Sequence, residues 1–163
     1  MAATATERAL GLGEWAVTGD RDAVLTCLGL GSCVALVLHD PSTSVGGMAH
    51  MVLPDSGAGR ATDSSPAKFV DLAVPLLVEA MTRAGANRSK VQARLVGGAS
   101  MLEMPGRPNT MQIGERNAIA ARAAIAAQKL PIVEEHLGGT KGRTVRLEVG
   151  TGRVDVSTAG QRE

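Results

Sequence analysis

The chain has 163 residues, a length typical of one domain with a core of its own. Hydrophobic residues make up 44% of it and charged residues 20%, which places it among globular proteins and not among disordered ones. A net charge of +1 gives no field to draw it to nucleic acid or to an anionic membrane, and only Trp15 and Phe69 are aromatic.

The sequence contains no signal for membrane insertion or secretion. No apolar run approaches about 18 residues, and the start of the chain lacks a basic stretch followed by an apolar block. If Cys27 and Cys33 lay on one straight strand, they would be roughly 20 Å apart, beyond the limit of about 7 Å for a disulfide. We therefore expect a reducing, cytoplasmic setting.

The first half of the chain predicts strands followed by a helix. Residues 1–13 are small and polar, and we expect a flexible arm there, before a single domain at residues 14–158. Short apolar segments separated by turn residues predict neighbouring strands at 14–18, 23–28, 34–38 and 47–53. An exposed loop is expected at 55–64. Ser65 and Pro66 resemble a helix N-cap followed by proline, and apolar residues at helical spacing predict a helix that ends at Gly85. Pro75 predicts a kink within it.

The second half predicts another strand, a second helix and a final hairpin. Residues 91–96 read as a strand, and the prolines within 103–109 indicate a loop. An alanine-rich helix is predicted from Ile113 to about Lys129, ended by Pro131. A strand begins at Ile132, a glycine-rich turn with two cations lies within 137–143, and residues 144–149 and 153–157 predict a hairpin. Residues 159–163 are expected to form a flexible tail.

Cys33 and His50 are the candidate reactive groups. Each interrupts an apolar segment beside glycines, and a thiol with a neighbouring imidazole provides a nucleophile and its base. Exposed backbone N–H groups beside the turn at Gly31 and Ser32 would supply an oxyanion site. The structural alternative is that Cys33 is one of the many buried, inert cysteines and His50 a core histidine.

The other histidines and the glycine-rich VGGAS segment at residues 96–100 suggest no chemistry. His39 precedes a turn and is expected to be solvated, whereas His136 follows Glu134 and is expected to balance local charge. Isolated histidines and two cysteines do not form the spacing of zinc ligands, so no metal site is predicted. The VGGAS segment lacks the Lys-Ser/Thr ending of a phosphate loop and indicates a tight turn.

Five motifs in register resemble the chemoreceptor glutamine deamidase family, CheD. They are LGLGSCV at 28–34, GGMAH at 46–50, VGGAS at 96–100, IGERN at 113–117 and GGTKGR at 138–143. The resemblance extends over residues 14–157. It implies an α+β fold in which a β-sandwich of mixed sheets is flanked by two main helices, similar to the catalytic domains of glutamine-deamidating toxins.

The resemblance also implies an activity. The family hydrolyses glutamine side chains on the cytoplasmic domains of methyl-accepting chemoreceptors to glutamates and releases ammonia, as part of chemotactic adaptation. Cys33 falls on the family nucleophile and His50 on its general base, and no metal or organic cofactor is expected. A CheC-type phosphatase is an implied partner.

One position departs from the family pattern. Relatives commonly carry a threonine six residues before the nucleophile as a third catalytic position, and here that residue is Cys27. Thr26 is one step earlier, and on a strand one step reverses the face to which a side chain points. Cys27, Thr26 or a backbone carbonyl then orients His50. The alternative is a catalytically weakened binding module that engages chemoreceptors or a CheC-type phosphatase.

Overall fold

The computed structural model describes residues 6–57, 65–100 and 112–158, together with the backbone of residues 161–162. Ten strands and two α-helices lie within these ranges. The strands are β1 (Thr6–Ala9), β2 (Trp15–Thr18), β3 (Ala23–Leu30), β4 (Val34–Asp40), β5 (Val45–Met51), β6 (Gln92–Gly97), β7 (Ile132–Leu137), β8 (Arg143–Glu148), β9 (Arg153–Thr158) and β10 (Gln161–Arg162). The helices are α1 (Val70–Arg83) and α2 (Ile113–Ala127), and short 3₁₀ turns occur at Pro66–Lys68 and Arg88–Lys90.

The strands form two mixed sheets packed face to face. The first sheet has the order β1-β3-β8-β9-β10 and the second the order β2-β5-β4-β6-β7. Both helices pack on the second sheet, on the face turned away from the first, and they also contact each other. The predicted fold, an α+β sandwich flanked by two main helices, is therefore confirmed.

The alternation of side chains along β4 divides the core in two. Ala35 and Val37 point between the sheets into the inter-sheet core, whereas Val34, Leu36 and Leu38 point into the helix-side core. Every residue of β4 is buried because both faces of the central strand are covered. Residues 34–38 form a continuous apolar run because both faces of the strand are buried.

The first helix begins later than the sequence predicts and ends where it predicts. Pro66 starts a 3₁₀ turn, and Phe69 is the residue that precedes α1. Pro75 lies inside α1 without ending it. Gly85 follows the helix with φ of +105°, a conformation that glycine adopts at low cost, so the predicted helix end is confirmed.

Residues 6–13 do not form the flexible arm that their composition predicts. β1 pairs in parallel with β3, with Thr6 opposite Ala23, and the side chain of Leu10 is buried in the inter-sheet core. All four residues of β1 are exposed, so the segment carries no apolar periodicity from which a strand could be predicted. The folded unit therefore begins before Glu14.

Other predictions fall at the limits of the described chain. Residues 1–5, the predicted loop at 103–109 and residues 58–64 of the loop at 55–64 lie outside the described residues. Within the expected tail, the backbone of Gln161–Arg162 pairs with β9 as β10. None of the helices described is both long and apolar enough to cross a membrane.

Candidate active site

Cys33 ends the tight loop that joins β3 to β4, and backbone hydrogen bonds hold this loop in place. The Gly31 carbonyl accepts from the Ala99 N–H at 2.8 Å, and the Cys33 carbonyl accepts from the Gly98 N–H at 2.8 Å. The VGGAS segment therefore supports the loop that carries the thiol. The tight turn predicted for this segment is wrong: Val96 and Gly97 end β6, and residues 98–100 continue without a turn along the loop of the candidate nucleophile.

Two glycines allow this close backbone packing. A Cβ on Gly97 would lie 2.2 Å from the Cys33 carbonyl oxygen, and Gly97 has φ of +120°. A Cβ on Gly114, in the first turn of α2, would lie 2.4 Å from the Ala99 carbonyl oxygen. Any larger side chain at either position would push the supporting segment away from the Cys33 loop. Three of the five sequence motifs thus meet around this loop.

The Cys33 thiol is half-buried, and its surroundings favour the neutral form. Burial raises the pKa of Cys33 above its ordinary value of 9.0, and the residue's own backbone N–H, placed close enough to interact with the sulfur, lowers it by a smaller amount. The net direction is upward, so the resting group at neutral pH is a thiol.

His50 lies on the same face of the second sheet as Cys33. It stands on β5 directly opposite Ala35 of β4, and Cys33 is two residues before Ala35 on the same face. Such diagonal neighbours have Cα atoms about 7 to 8 Å apart, within reach of long side chains. His50 is only 5% exposed, so its ring is held inside the sandwich and not in solvent.

The turn between β1 and β2 fixes the His50 ring through its backbone. The Leu10 carbonyl lies 2.9 Å from Nδ1 of His50. A carbonyl oxygen can only accept a hydrogen bond, so Nδ1 carries the proton and, in the neutral ring, Nε2 is the free acceptor. The backbone of His50 is fixed as well, because its N–H donates to the Glu14 carbonyl and its carbonyl accepts from Gly13, each at 2.9 Å.

Cys27 and Thr26, the two candidates for the third position, point to opposite faces of β3. The Cys27 side chain is fully buried in the inter-sheet core, with its sulfur 3.5 Å from Sδ of Met48. Burial, with a smaller contribution from the charge of Cys33, raises the pKa of Cys27 to about 12. Thr26 points to the other face, where its hydroxyl donates to Glu7. Of the two, Cys27 is the one that points into the inter-sheet core, toward the sheet face that bears Cys33 and His50.

The structure adds to the site two residues to which the sequence analysis assigned no role. One is Leu10, through its backbone carbonyl, and no side-chain pattern could have indicated that contact. The other is Asn117 of α2, whose amide nitrogen donates to the carbonyls of Ser32 and Val52. A polar side chain on the buried face of an otherwise alanine-rich helix was the available signal for Asn117.

The two remaining histidines lie elsewhere. His39 is only 3% exposed and its Nε2 donates to the Val149 carbonyl at 2.9 Å, so the expectation of a solvated turn residue is wrong. The first sheet covers the end of β4 and buries the ring. His136 lies 2.6 Å from Glu134, as its position beside that residue predicts. Over residues 6–57, 65–100 and 112–158, no group of three or more His, Cys, Asp or Glu side chains is placed to hold a metal ion.

The fold and the site define a class: an α+β sandwich that presents a half-buried thiol and a backbone-anchored imidazole on one sheet face. Comparison with known proteins identifies the family. The model of the family described as CheD chemotactic sensory transduction matches residues 52–158. A protein of Symbiobacterium thermophilum named probable chemoreceptor glutamine deamidase CheD is 48% identical over 95% of this chain and 94% of its own. The chain belongs to the CheD family.

Further relatives carry the same name. A protein of Desulfitobacterium hafniense is 41% identical over 86% of each chain, and one of Clostridium botulinum is 37% identical over 93% of this chain and 92% of its own. Among solved structures, the Bacillus licheniformis hypothetical protein YfiH is similar with a TM-score of 0.47 and 14% identity. That match covers 82% of this chain, which spans 59% of the YfiH chain.

Proposed function

We propose that this protein hydrolyses glutamine side chains on methyl-accepting chemoreceptors to glutamates with release of ammonia, using Cys33 as nucleophile and His50 as general base. The observation that carries the proposal is the placement of these residues as diagonal neighbours on one sheet face, with His50 Nδ1 bound to the Leu10 carbonyl. That bond leaves Nε2 as the acceptor for the thiol proton. The names of the relatives supply the substrate class.

The reaction begins with attack on the amide. His50 Nε2 takes the proton from Cys33, and the sulfur bonds to the carboxamide carbon of the glutamine side chain. The carbonyl oxygen of the substrate becomes an oxyanion. The Cys33 N–H, which interacts with the sulfur, and the N–H groups of the loop at Gly31 and Ser32 are the candidate donors that would stabilise it.

The intermediate then loses ammonia and is hydrolysed. Protonated His50 gives its proton to the departing nitrogen, the carbon–nitrogen bond breaks, and a thioester to Cys33 remains. A water molecule, deprotonated by His50, attacks the thioester carbon. The carbon–sulfur bond breaks, the glutamate is released, and the proton returns to the thiol. Each step uses only groups of this chain, the substrate and water.

The raised pKa of Cys33 determines when the proton moves. A standing thiolate–imidazolium pair would require surroundings that favour the charged sulfur, whereas burial here favours the neutral thiol. We therefore propose that proton transfer to His50 accompanies the attack and does not precede it. Binding of the substrate brings the carboxamide to the sulfur, and the Cys33 N–H stabilises the charge as it moves to oxygen.

The Leu10 carbonyl takes the orienting role for which Cys27 and Thr26 were candidates. Thr26 is directed to the other face of the first sheet, and the partner of the Cys27 sulfur is Met48. The alternative, a catalytically weakened module that acts by binding chemoreceptors or a CheC-type phosphatase, rests on the loss of threonine at position 27. A histidine already oriented by a carbonyl does not depend on that threonine, which favours the enzyme.

Two further elements belong to the proposal. A CheC-type phosphatase is a partner of this protein, as the family resemblance implies, and the protein acts in the cytoplasm, where the signalling domains of chemoreceptors are exposed. A binding partner of this kind would engage the folded domain without using the thiol. Co-purification with the Cys33→Ala variant separates that binding from catalysis.

The test is a mass measurement on the substrate. Incubation with a chemoreceptor cytoplasmic domain is expected to raise the mass of glutamine-containing peptides by about one unit, since NH₂ is exchanged for OH. Cys33→Ala and His50→Ala are expected to abolish the shift, whereas Cys27→Ala, the matched cysteine control, is expected to retain it. Full activity in Cys33→Ala contradicts the assignment of the nucleophile. A wild-type protein that binds receptor without changing its mass supports the binding module instead.

A further inference from the structure

Asn117 is a fully buried amide that bridges the two backbone segments bearing the proposed reactive residues. Its Nδ2 donates to the Ser32 carbonyl at 3.0 Å and to the Val52 carbonyl at 2.9 Å. Ser32 directly precedes Cys33, and Val52 follows His50 by two residues. One side chain of α2 thus ties together the ends of β4 and β5 at the site.

The bond to Ser32 bears on the direction of a neighbouring N–H group. The peptide bonds of the described chain contain no cis bond, and in a trans peptide the C=O and N–H groups point in opposite directions. Asn117 holds the Ser32 carbonyl toward α2, so the N–H of Cys33, in the same peptide plane, is held away from α2. That direction leads to the face on which Cys33 and His50 lie.

The other end of the same amide is unfavourable for the stability of the fold. Asn117 Oδ1 is buried and has no hydrogen-bond partner among the described residues. The orientation of the amide is fixed, because exchanging its oxygen and nitrogen would place an acceptor against two carbonyls. A buried polar atom without a partner lowers the stability of the fold. The favourable interactions of this side chain are therefore the two hydrogen bonds that its nitrogen donates.

We propose that Asn117 is a positioning residue for the deamidation reaction. It holds the Ser32–Cys33 peptide so that the Cys33 N–H faces the oxyanion, and it fixes the separation between the Cys33 loop and the end of the His50 strand. The inference rests on the proposed function. Asn117 acts through the backbone of Cys33 and has no contact with the substrate in this scheme.

The experiment compares Asn117→Ala and Asn117→Ser with the wild type and with Ile125→Val. The serine variant keeps one short donor and is the milder replacement if the alanine variant does not fold. Ile125 is fully buried on the same helix, away from Cys33, and its truncation controls for a general loss of stability. Each protein is measured for thermal unfolding, for kcat and KM on a receptor domain, and for the pH midpoint of Cys33 alkylation by iodoacetamide.

A positioning role predicts two changes that a structural role does not. First, kcat falls roughly ten- to a hundredfold in Asn117→Ala and less in Asn117→Ser, with KM within about twofold, since loss of an oxyanion donor costs about 10²- to 10³-fold. Second, the alkylation midpoint of Cys33 moves upward, because the N–H that stabilises the thiolate is no longer held in place. Ile125→Val keeps the wild-type midpoint and kcat.

The two measurements separate this inference from the proposed function. Alkylation is measured without substrate, so an upward shift supports the positioning role even if the wild-type protein has no deamidase activity. An absence of deamidase activity in the wild-type protein would count against the proposed function and not against the positioning role. A wild-type midpoint and wild-type kcat in the Asn117 variants, together with a lower unfolding temperature, overturn the positioning role and leave Asn117 a structural residue.

Discussion

Replacing Cys27 with threonine tests whether the Leu10 carbonyl is sufficient to orient His50. The family resemblance implies a threonine at this position, so a dependence of catalysis on its hydroxyl would appear as a gain of activity. In this structure, however, His50 Nδ1 is already bound to the Leu10 carbonyl at 2.9 Å. We therefore expect kcat of Cys27→Thr to stay within about threefold of the wild type, since no interaction of the transition state is added.

The cost of the substitution follows from the surroundings of Cys27. The side chain is fully buried in the inter-sheet core and its sulfur contacts the Met48 thioether. A hydroxyl buried there without a partner costs about 1 to 3 kcal/mol. For a domain of this size, each kcal/mol lowers the unfolding temperature by about 2 to 4 °C. Urea and thermal unfolding measure this loss directly.

Cys27→Val is the matched control, because valine has the shape of threonine without its hydroxyl. The difference between the two variants isolates the hydroxyl from the change in side-chain shape. We expect equal turnover of receptor glutamines, and a valine variant that is more stable than the threonine variant by about 2 kcal/mol. A gain in kcat of tenfold or more in Cys27→Thr but not in Cys27→Val would refute the reasoning. It would show that the natural protein is catalytically weakened at this position.

Three further predictions follow from the same geometry. Gly97→Ala should destabilise the fold by about 2 to 5 kcal/mol in urea unfolding and abolish activity, because the added Cβ would meet the Cys33 carbonyl. Gly138→Ala is the control: its added Cβ would meet no atom within 4 Å, so only the backbone strain remains, about 1 kcal/mol. Iodoacetamide at about pH 8 should label the half-buried Cys33 before the fully buried Cys27, and peptide mapping that found equal labelling of the native protein would contradict the site described. The folded state holds the Cys27 proton up to about pH 12 and the unfolded chain releases it near 9.0, so stability falls as pH rises through this window. Between pH 9 and 10 the free energy of unfolding of the wild type should fall by about 1 kcal/mol more than that of Cys27→Val. Equal decreases in the two proteins, measured by urea unfolding at each pH, would exclude this linkage.

Prediction from the sequence succeeded where local chemistry decides the structure. Gly85 ends α1 because a left-handed residue is needed there, and the apolar run at 34–38 forms the central, doubly covered strand β4. The step between Thr26 and Cys27 reverses the face of β3, as the period of a strand requires. Each of these features depends on neighbours within a few residues, which the sequence displays directly.

Prediction failed where a distant segment supplies the environment. His39 was expected in solvent, but the Val149 carbonyl and the first sheet bury it. Residues 6–13 were expected to be loose, but they pair with β3 and bind His50. In both cases the partner lies far along the chain or on another strand, and no periodicity in the segment itself indicates the contact.

The sequence by itself determined the class of fold, the family resemblance and the two side chains, Cys33 and His50, on which the proposed chemistry depends. Only the tertiary structure decided how those side chains are held: by the Leu10 carbonyl at the imidazole and by Asn117 at the peptide before the thiol. The physical reason is that every residue carries the same backbone carbonyl and N–H. Which of them reaches a given side chain depends on the packing of strands and helices and not on the residue type.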